Sequence, residues 1–341
     1  MTIFRNFFAA GLVPTALTAM AISGCAGLPM GTPVPLDGIR GQAIGFDDLG
    51  IDAFLGKILI PCGRTGAVYL LDPKSGGGYP LQAFPSVSGG EHGHDAGVTS
   101  ADSGLGLVFA SDRDTRSLEA LDPRSGRVKA AVALKGKPDY VRYVGPTHEI
   151  WVTEPTLQQI EIFSIERMGK AISLMRSGVV RVPGGPESLV VDSKRGTAFT
   201  NSWKGSSFEI SLSGRGISAR WRNGCAGSRG LALDEADGFL FVGCEEGKAS
   251  ALDALHGGKP LSSMDSGRGV DIIAYDPGLR HLYVPGAEDA TLTVASVGRR
   301  GKLTPLRMFQ TAPGAHCVVA NGRRFWVCDP RRGRLLRFDD H

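Results

Sequence analysis

The chain has 341 residues, a hydrophobic content of 42%, and 38 basic against 34 acidic residues, which gives a formal net charge of +4. This length can bury a large core, either as one repeat architecture or as two ordinary domains. The charge is small, and the basic residues near the C-terminus lack the interleaved aromatic residues of a nucleic-acid platform, so no nucleic-acid partner is expected.

The first 24 residues have the organisation of an export signal. Arg5 precedes an apolar run from Phe7 to Ile22, which Pro14 interrupts and which is short for a membrane span. The tetrapeptide ISGC at residues 22–25 resembles the bacterial lipobox. That resemblance implies that Cys25 carries a lipid and becomes the mature N-terminus. A plain secretory signal or a membrane anchor is the alternative.

The residues after Cys25 predict where the protein is held. Ala26 stands where the lipoprotein sorting rule would read Asp, so the resemblance implies an outer-membrane lipoprotein that faces the periplasm. Gly27–Leu36 is rich in Gly and Pro and predicts a tether. The expected organisation is a signal peptide over 1–24, a lipidated tether over 25–36 and a folded domain over 37–341, with membrane contact through Cys25 alone.

From residue 37 onward one pattern of short apolar runs recurs seven times. It is clearest over residues 229–265, where four alternating runs are separated by Gly- and Asp-rich turns, as in an antiparallel meander. The second run of each repeat is separated from the next by 42 to 49 residues, and the centres of these runs are Leu59, Val108, Trp151, Phe199, Phe241, Tyr283 and Trp326. Four strands in a repeat of this length predict an all-β, seven-bladed β-propeller.

The seventh repeat contains only three strands, because the sequence stops at His341. Residues near Val34–Ala43 precede the first inner strand, and we expect them to supply the missing outer strand. Such a strand would complete the last blade and remove its open edge. The protein is expected to be a monomer.

An ionisable residue opens the predicted first strand of every repeat. Because first strands line the channel of a propeller, these side chains should surround one mouth of it, as a mostly acidic ring that is costly unless paired or bound to a cation. The ring consists of Asp47, Asp95, Asp139, Glu187, Arg229, Asp271 and His316. The plainer interpretation is a wet, polar mouth in which Arg229 bridges Glu187 and Asp271.

Several repeats resemble the YVTN/YncE-type seven-bladed propellers and, more distantly, the gluconolactonase-type and NHL-type propellers. The resemblance rests on FTNS at 199–202, YVPG at 283–286, and the G-x-P triplets at 136–138 and 184–186. It implies the fold, but these families include binding proteins, lactonases and quinoproteins, so it implies no single activity.

The lactonase group implies a metal site of Glu, Asn and Asp in the channel. The candidates for it are Glu187, Asn201 and either Asp271 or Asp139, although the Pro-Asn-Gly and Pro-Asp-Gly segments of that group are absent here. His92 and His94 flank a glycine and offer a second candidate site for a cation. A divalent cation is the one cofactor that these residues suggest.

Six cysteines fit an exported protein, in which disulfides persist. Cys317 and Cys328 lie symmetrically about the turn of the seventh first hairpin and should form a disulfide. Cys225 and Cys244 bracket the fifth hairpin in the same way, although Cys225 is about three residues too far out for strict pairing. Cys62 is left over. A redox or metal role is the alternative, but no Cys-x-x-Cys occurs.

Three functions remain open at this stage. The first is a lipid-tethered propeller that binds a small molecule, a metal ion or a partner protein at the acidic mouth without turnover. The second is a metal-dependent lactonase or related hydrolase. The third, which only resemblance suggests, is an accessory protein of quinoprotein-linked periplasmic metabolism.

Overall fold

The computed structural model describes residues 27–39, 43–87, 96–169 and 171–341. In these ranges the strands form seven four-stranded antiparallel sheets. Successive sheets pack against each other along the chain, and the inner strands of the first and last sheets also meet, which closes the ring. The predicted all-β, seven-bladed propeller is confirmed. No helix in these ranges is long and apolar enough to cross a membrane.

The first four blades follow one another without a crossover. Their strands are β2 (Gly50–Asp52), β3 (Lys57–Pro61), β4 (Ala67–Leu71), β5 (Gly78–Gln82), β6 (Val98–Gly104), β7 (Leu107–Asp112), β8 (Ser117–Leu121), β9 (Val128–Ala133), β10 (Val141–Val144), β11 (Glu149–Glu154), β12 (Gln159–Met168), β13 (Ala171–Arg181), β14 (Glu187–Asp192), β15 (Thr197–Ser202), β16 (Ser206–Ser211) and β17 (Gly216–Arg222).

The last three blades repeat this order. Across the whole ring, short 3-10 turns follow β11 in the third blade, β20 in the fifth and β27 in the seventh. Their strands are β18 (Ser228–Asp234), β19 (Phe239–Cys244), β20 (Lys248–Asp253), β21 (Lys259–Asp265), β22 (Ala274–Asp276), β23 (His281–Gly286), β24 (Thr291–Val297), β25 (Leu303–Gln310), β26 (Val318–Asn321), β27 (Arg324–Asp329) and β28 (Arg334–Asp339). The 3-10 turns are Pro155–Leu157, Ala254–His256 and Pro330–Arg332.

The seventh blade is completed by the N-terminal strand β1 (Thr32–Val34), which pairs antiparallel with β28. The expected closure is therefore confirmed, but its position is corrected. The strand lies at the start of the predicted segment Val34–Ala43 and inside the segment assigned to the tether, so the propeller begins before residue 37. The three residues Thr-Pro-Val need pair on one side only, which suits an outer strand that contains a proline.

Aspartates fix the turns that the sequence repeats. In the turn between β2 and β3, Asp52 Oδ1 accepts hydrogen bonds from the backbone amides of Phe54 and Leu55, at 2.8 and 2.9 Å. In the LDPKSG turn after β4, Asp72 Oδ1 accepts from the amides of Lys74 and Ser75 in the same way. Such Asx turns satisfy backbone donors that a tight turn would otherwise leave unpaired.

The hydrophobic core is divided between the blades. In the described ranges the buried apolar residues form seven clusters, and each cluster lies between two neighbouring blades. Trp151 and Trp326, two of the predicted strand centres, are almost fully buried in such clusters. The axis of the ring is thus left for polar residues, because the apolar residues face the adjacent sheets.

Two disulfides staple first-strand segments to second strands. Cys317 and Cys328 are joined as predicted, with 5.7 Å between their Cα atoms. Cys225 and Cys244 are also joined, with a Cα separation of 5.2 Å. The predicted offset of Cys225 is overcome because the ladder is irregular between Ser228 and Leu231, so that the chain before β18 returns toward Cys244. Cys62 is buried and unpaired, and burial raises the pKa of its thiol to about 12.

Removing the Cys317–Cys328 disulfide should destabilise the protein by about 3 kcal/mol, because the bond closes a loop that the unfolded chain would otherwise leave free. A Cys317→Ser, Cys328→Ser double variant, compared with wild type by chemical denaturation under non-reducing conditions, measures this loss. Non-reducing peptide mapping is the control for the pairing. Recovery of Cys317 linked to Cys62 would contradict the assignment.

Candidate ligand-binding cavity

A cavity of about 1230 Å³ opens at one mouth of the central channel. It is lined by six of the seven predicted ring residues, namely Asp47, Asp139, Glu187, Arg229, Asp271 and His316. Asp95 lies outside the described residues. The sequence pattern therefore located a common place for these side chains, although their role in binding stays a prediction.

Strand direction explains why this mouth collects polar residues from two positions in each blade. The ring residues lie at or just before the start of the first strand, and the antiparallel partner ends at the same edge. A second set of side chains therefore lines the cavity from positions just after the ends of the second strands. It includes Arg113, Trp203, Lys204, Glu245, Glu288 and Arg331. The sequence analysis missed this set, which could have been found four or five residues after each second-strand centre.

The second set changes the charge of the cavity. It adds cations to the lining, so the ring residues are mostly acidic, as predicted, but the cavity as a whole carries charges of both signs. The carboxylates in the lining are Asp47, Asp139, Glu187, Glu245, Asp271 and Glu288, and the cations are Arg113, Lys137, Lys204, Arg229 and Arg331. Opposite charges so close together favour a ligand with polar groups over an apolar one.

Arg113 neutralises two of the buried carboxylates. Its Nη2 pairs with Asp139 Oδ1 and lies 3.4 Å from Asp47 Oδ2, while its Nε donates to the carbonyl oxygen of Pro138 at 3.0 Å. Burial nevertheless raises the pKa of both carboxyls against the attraction of Arg113, and repulsion from Asp271 adds to the effect. The buried Oδ2 of Asp47 accepts no hydrogen bond from the described residues.

Glu187 is held at the start of β14 by an aromatic donor, since the indole Nε1 of Trp203 donates to its Oε2. Burial, together with repulsion from Asp139 and Asp271, raises the pKa of Glu187 to about 8. The carboxyl therefore changes charge near neutral pH, and a nearby cation would favour its ionised form.

Asp271 is the carboxylate with the least compensation. The sequence suggested that Arg229 bridges Glu187 and Asp271. Both carboxylates attract its guanidinium, but its ion pair, at 2.7 Å from Nη2, is with Glu245. The side chain of Asp271 has no ion pair or hydrogen bond within the described ranges, and it is only half-buried. A carboxylate that faces a cavity without a partner is the natural position for a cationic group of a ligand.

The remaining ring residue, His316, is directed at the backbone. Its Nε2 lies 2.7 Å from the carbonyl oxygen of Phe46, and its Nδ1 lies 2.8 Å from that of Gly314. Both ring nitrogens therefore face carbonyl oxygens, which only accept hydrogen bonds. His316 is therefore well placed to join the first and last blades and poorly placed to bind a metal.

A buried ion pair lies next to Tyr140, one of the residues that line the cavity. Tyr140 lies in the lining and is buried, and the guanidinium of Arg142 stacks 5.2 Å from the centre of its ring. Arg142 forms a two-pronged pair with Asp48, with 3.0 Å between Nη2 and Oδ1, and Ser100 Oγ donates to the other oxygen at 2.6 Å. Arg142, Asp48 and Ser100 thus satisfy one another's charges and hydrogen bonds.

Of the three residues in the predicted lactonase-type metal site, Glu187 and Asp271 line the cavity and Asn201 does not. Asn201 is fully buried, its Nδ2 donates to the carbonyl oxygen of Arg229 at 2.7 Å, and its Oδ1 accepts from Ser207 Oγ at 2.7 Å. Asn201 is thus part of a hydrogen-bonded cluster between blades and is not among the residues that line the cavity, and the metal-binding role of these residues stays a prediction. His92 and His94, the second candidate pair, lie outside the described residues.

The carboxylates of the ring do not converge on a point. Among the residues that the structure describes, one group of three metal-binding side chains has its donor atoms within 4.8 Å of one another, and it consists of His316, Cys317 and Cys328. Both cysteines of that group are in a disulfide. Within the described ranges, Glu187 and Asp271 therefore have no third metal-binding side chain that brings a donor atom within this distance.

Known structures share the architecture. The chain is similar to a chain in the crystal structure of the mitotic checkpoint complex (TM-score 0.72, 11% identity, 99% of this chain and 100% of that one). It is also similar to the β-propeller domain of Cps50 (Swd1) from Myceliophteria thermophila (0.68, 12%, 89% and 99%) and to hydrazine synthase of Kuenenia stuttgartiensis (0.70, 10%, 89% and 99%). At such low identities the likeness shows the fold alone.

No family model matches the chain, and no curated protein matches it. The expected membership of the YVTN/YncE-type group therefore stays a prediction. Any functional conclusion depends on the cavity itself.

Proposed function

We propose that this propeller binds, without catalysis, a small organic ligand that carries an ammonium or similar cationic group, in the cavity at the channel mouth. The observation that carries the proposal is the pair of under-compensated carboxylates in one large cavity. The side chain of Asp271 has no ion pair or hydrogen bond within the described ranges, and the buried Oδ2 of Asp47 accepts no hydrogen bond from them, with Arg113 Nη2 3.4 Å away. Burial is the main cause of the raised pKa of Asp47, and a cation that entered between the two carboxylates would relieve the repulsion from Asp271 that adds to it.

The size of the cavity favours an organic molecule over a metal ion. Its volume of about 1230 Å³ is somewhat above the range of roughly 300–1,000 Å³ found for small-molecule pockets. Tyr140 and Trp203 add aromatic surface, which suits the alkyl or cationic part of such a ligand. Lys204 and Arg331 at the same cavity could receive an anionic group of a zwitterion.

The alternative of a lactonase-type hydrolase is less well supported. Its metal would need Glu187, Asn201 and Asp271 to act together, and the amide of Asn201 is already used between the blades. No observation favours the accessory role in quinoprotein-linked metabolism over simple binding.

We further propose that the protein is exported and lipid-anchored, which the ISGC tetrapeptide at 22–25 and the two disulfides support. Cys25 lies outside the described residues. Intact-mass measurement on the membrane fraction is expected to give a chain that starts at a diacylated Cys25. A soluble product cleaved at another residue would contradict lipidation.

The binding proposal is tested with a linear diamine and a neutral diol of the same length, 1,4-diaminobutane and 1,4-butanediol. The diamine should raise the melting temperature, because a ligand that binds only the folded state stabilises it. The diol should not. Asp271→Asn should abolish the increase, whereas Asp265→Asn, at an exposed position on β21, should retain it.

Equal stabilisation by diamine and diol would contradict the proposal that the cavity binds a cationic group. A rise in melting temperature that persists in Asp271→Asn would contradict it too. Divalent cations are included as a separate arm. If Ca²⁺ or Mg²⁺ stabilised the wild type and the diamine did not, the ligand would be a metal ion and the preference stated here would be wrong.

A further inference from the structure

A second cavity of about 940 Å³ lies beside the channel mouth, at the junction of blades four and five. It is lined by the outer strand β17, by the loop that leads to β18, and by the start of β20. Lys204 and Ala226 line both cavities, so the second one continues outward from the first. We call it the basic groove, because its lining includes Lys204, Arg220, Arg222 and Lys248.

The single carboxylate in the lining does not neutralise these cations. Glu246 Oε1 accepts from the amide of Ala226 at 2.8 Å, and its Oε2 accepts from the amide of Gly227 at 3.1 Å. Burial opposes ionisation, but these hydrogen bonds outweigh it and lower the pKa of Glu246. Its charge is thus directed at the backbone, with Lys248 at 3.4 Å as the one cation in contact.

The other three cations have no carboxylate partner within the described ranges. Arg220 is positioned by neutral groups, since its Nε and Nη2 donate to Ser206 Oγ at 3.2 and 3.1 Å and its guanidinium lies 5.5 Å from the centre of the Phe208 ring. Arg222 lies two residues further along β17, so both side chains project from the same face of the strand. Neither Arg222 nor Lys204 forms an ion pair with any residue that the structure describes.

The backbone around the groove is held in place. A Cβ atom at Gly205, whose φ is +66°, would lie 2.6 Å from the carbonyl oxygen of Cys225, so only glycine allows this approach of the two blades. Cys225 itself is in the groove lining and is fixed by its disulfide to Cys244. The cations therefore project from a rigid frame rather than from a free loop.

We propose that the basic groove binds an oxyanion, of the phosphate or sulfate class, through Arg220, Arg222 and Lys248. Two guanidinium groups on one strand face can each direct two N–H donors at such a group, and a neighbouring ammonium adds charge. Bound oxyanion would also relieve the mutual repulsion of the four cations. The proposal does not depend on a cationic ligand in the channel mouth.

The test is isothermal titration of the folded protein with inorganic pyrophosphate and, separately, with sulfate. Wild type is expected to bind with a stoichiometry of one. Arg222→Glu should weaken binding at least tenfold, and it breaks no hydrogen bond or ion pair of the described residues. Arg300→Glu is the matched control, because it makes the same charge change at an exposed turn, and it should bind within twofold of wild type.

Vesicles that contain an anionic phospholipid form a third arm, which separates a lipid headgroup from a free oxyanion as the source. Saturable binding that Arg222→Glu weakens supports the groove in either arm. Equal weakening by Arg222→Glu and Arg300→Glu would show non-specific attraction to a basic protein, and the proposal would fail. The absence of saturable binding by wild type in all arms would also overturn it.

Asp271→Asn distinguishes the two proposals. It should abolish the response to the diamine and leave pyrophosphate binding intact, whereas Arg222→Glu should do the reverse. Loss of both responses in one variant would indicate one ligand that spans both cavities through Lys204.

Discussion

Replacing Arg113 by Met is expected to lower the free energy of unfolding by about 3–5 kcal/mol, because removal of one partner leaves buried charges uncompensated. Arg113 pairs with Asp139 and lies 3.4 Å from Asp47, and the side chains of both aspartates are less than a tenth exposed. A methionine keeps the length of the aliphatic stem and fills part of the same space. Urea denaturation of the two proteins measures the loss.

Two variants make this result interpretable. Arg299→Met removes an exposed arginine whose side chain makes no ion pair or hydrogen bond with the described residues, and it should change stability by less than about 0.5 kcal/mol. The triple variant Arg113→Met, Asp47→Asn, Asp139→Asn should recover much of the loss, since no buried charge then lacks a partner. A single variant as stable as wild type would show that Arg113 does not neutralise the mouth.

The second large effect is a dependence of ligand binding on pH. Because the pKa of Glu187 is raised to about 8 in the folded protein, its carboxyl is mostly neutral at pH 6.5 and mostly ionised at pH 8.5. If the ionised form attracts a cationic ligand, affinity for 1,4-diaminobutane should rise at least about tenfold between these pH values. Titration calorimetry of wild type and Glu187→Gln measures the change, and the variant should show a flatter profile.

The same raised pKa has the opposite consequence for the unliganded protein. The folded state holds the proton of Glu187 more tightly than the unfolded chain, so the stability that this group contributes falls as the pH rises from about 4.5 through 8. The difference in unfolding free energy between Glu187→Gln and wild type should therefore grow in favour of the variant over this range. Parallel pH profiles for the two proteins would contradict the assignment.

Much of the fold could be predicted because each blade repeats the same physical requirement. Aromatic and β-branched residues must be buried between sheets, and Asx turns must reverse the chain, so the signals recur at the same spacing. The ring at the mouth could be predicted for the same reason. Arg113 was missed because the repeats were compared at the first strands, whereas it follows a second strand, five residues after the centre at Val108.

Residues whose positions depend on irregular backbone or on local hydrogen bonds could be predicted less accurately from the sequence. The disulfide of Cys225 needs the ladder irregularity between Ser228 and Leu231, which no periodic rule contains. Asn201 lies at the end of a second strand, as expected for a channel residue, but hydrogen bonds to Ser207 and Arg229 direct it between the blades. Side-chain direction at strand ends is decided by such local partners and not by strand order.

The pairing of Thr32–Val34 with Arg334–Asp339 has a consequence for how the molecule folds. The two strands lie at opposite ends of the chain, so the last hydrogen-bonded ladder needs a contact of very high sequence separation, which is slow to form. The six other blades can each assemble from a continuous segment. Until β1 and β28 have paired, the hydrophobic cluster around Val34, Trp326 and Leu335 stays incomplete, and β28 remains an exposed sheet edge. The interval before ring closure is therefore the stage at which this chain is most prone to aggregation.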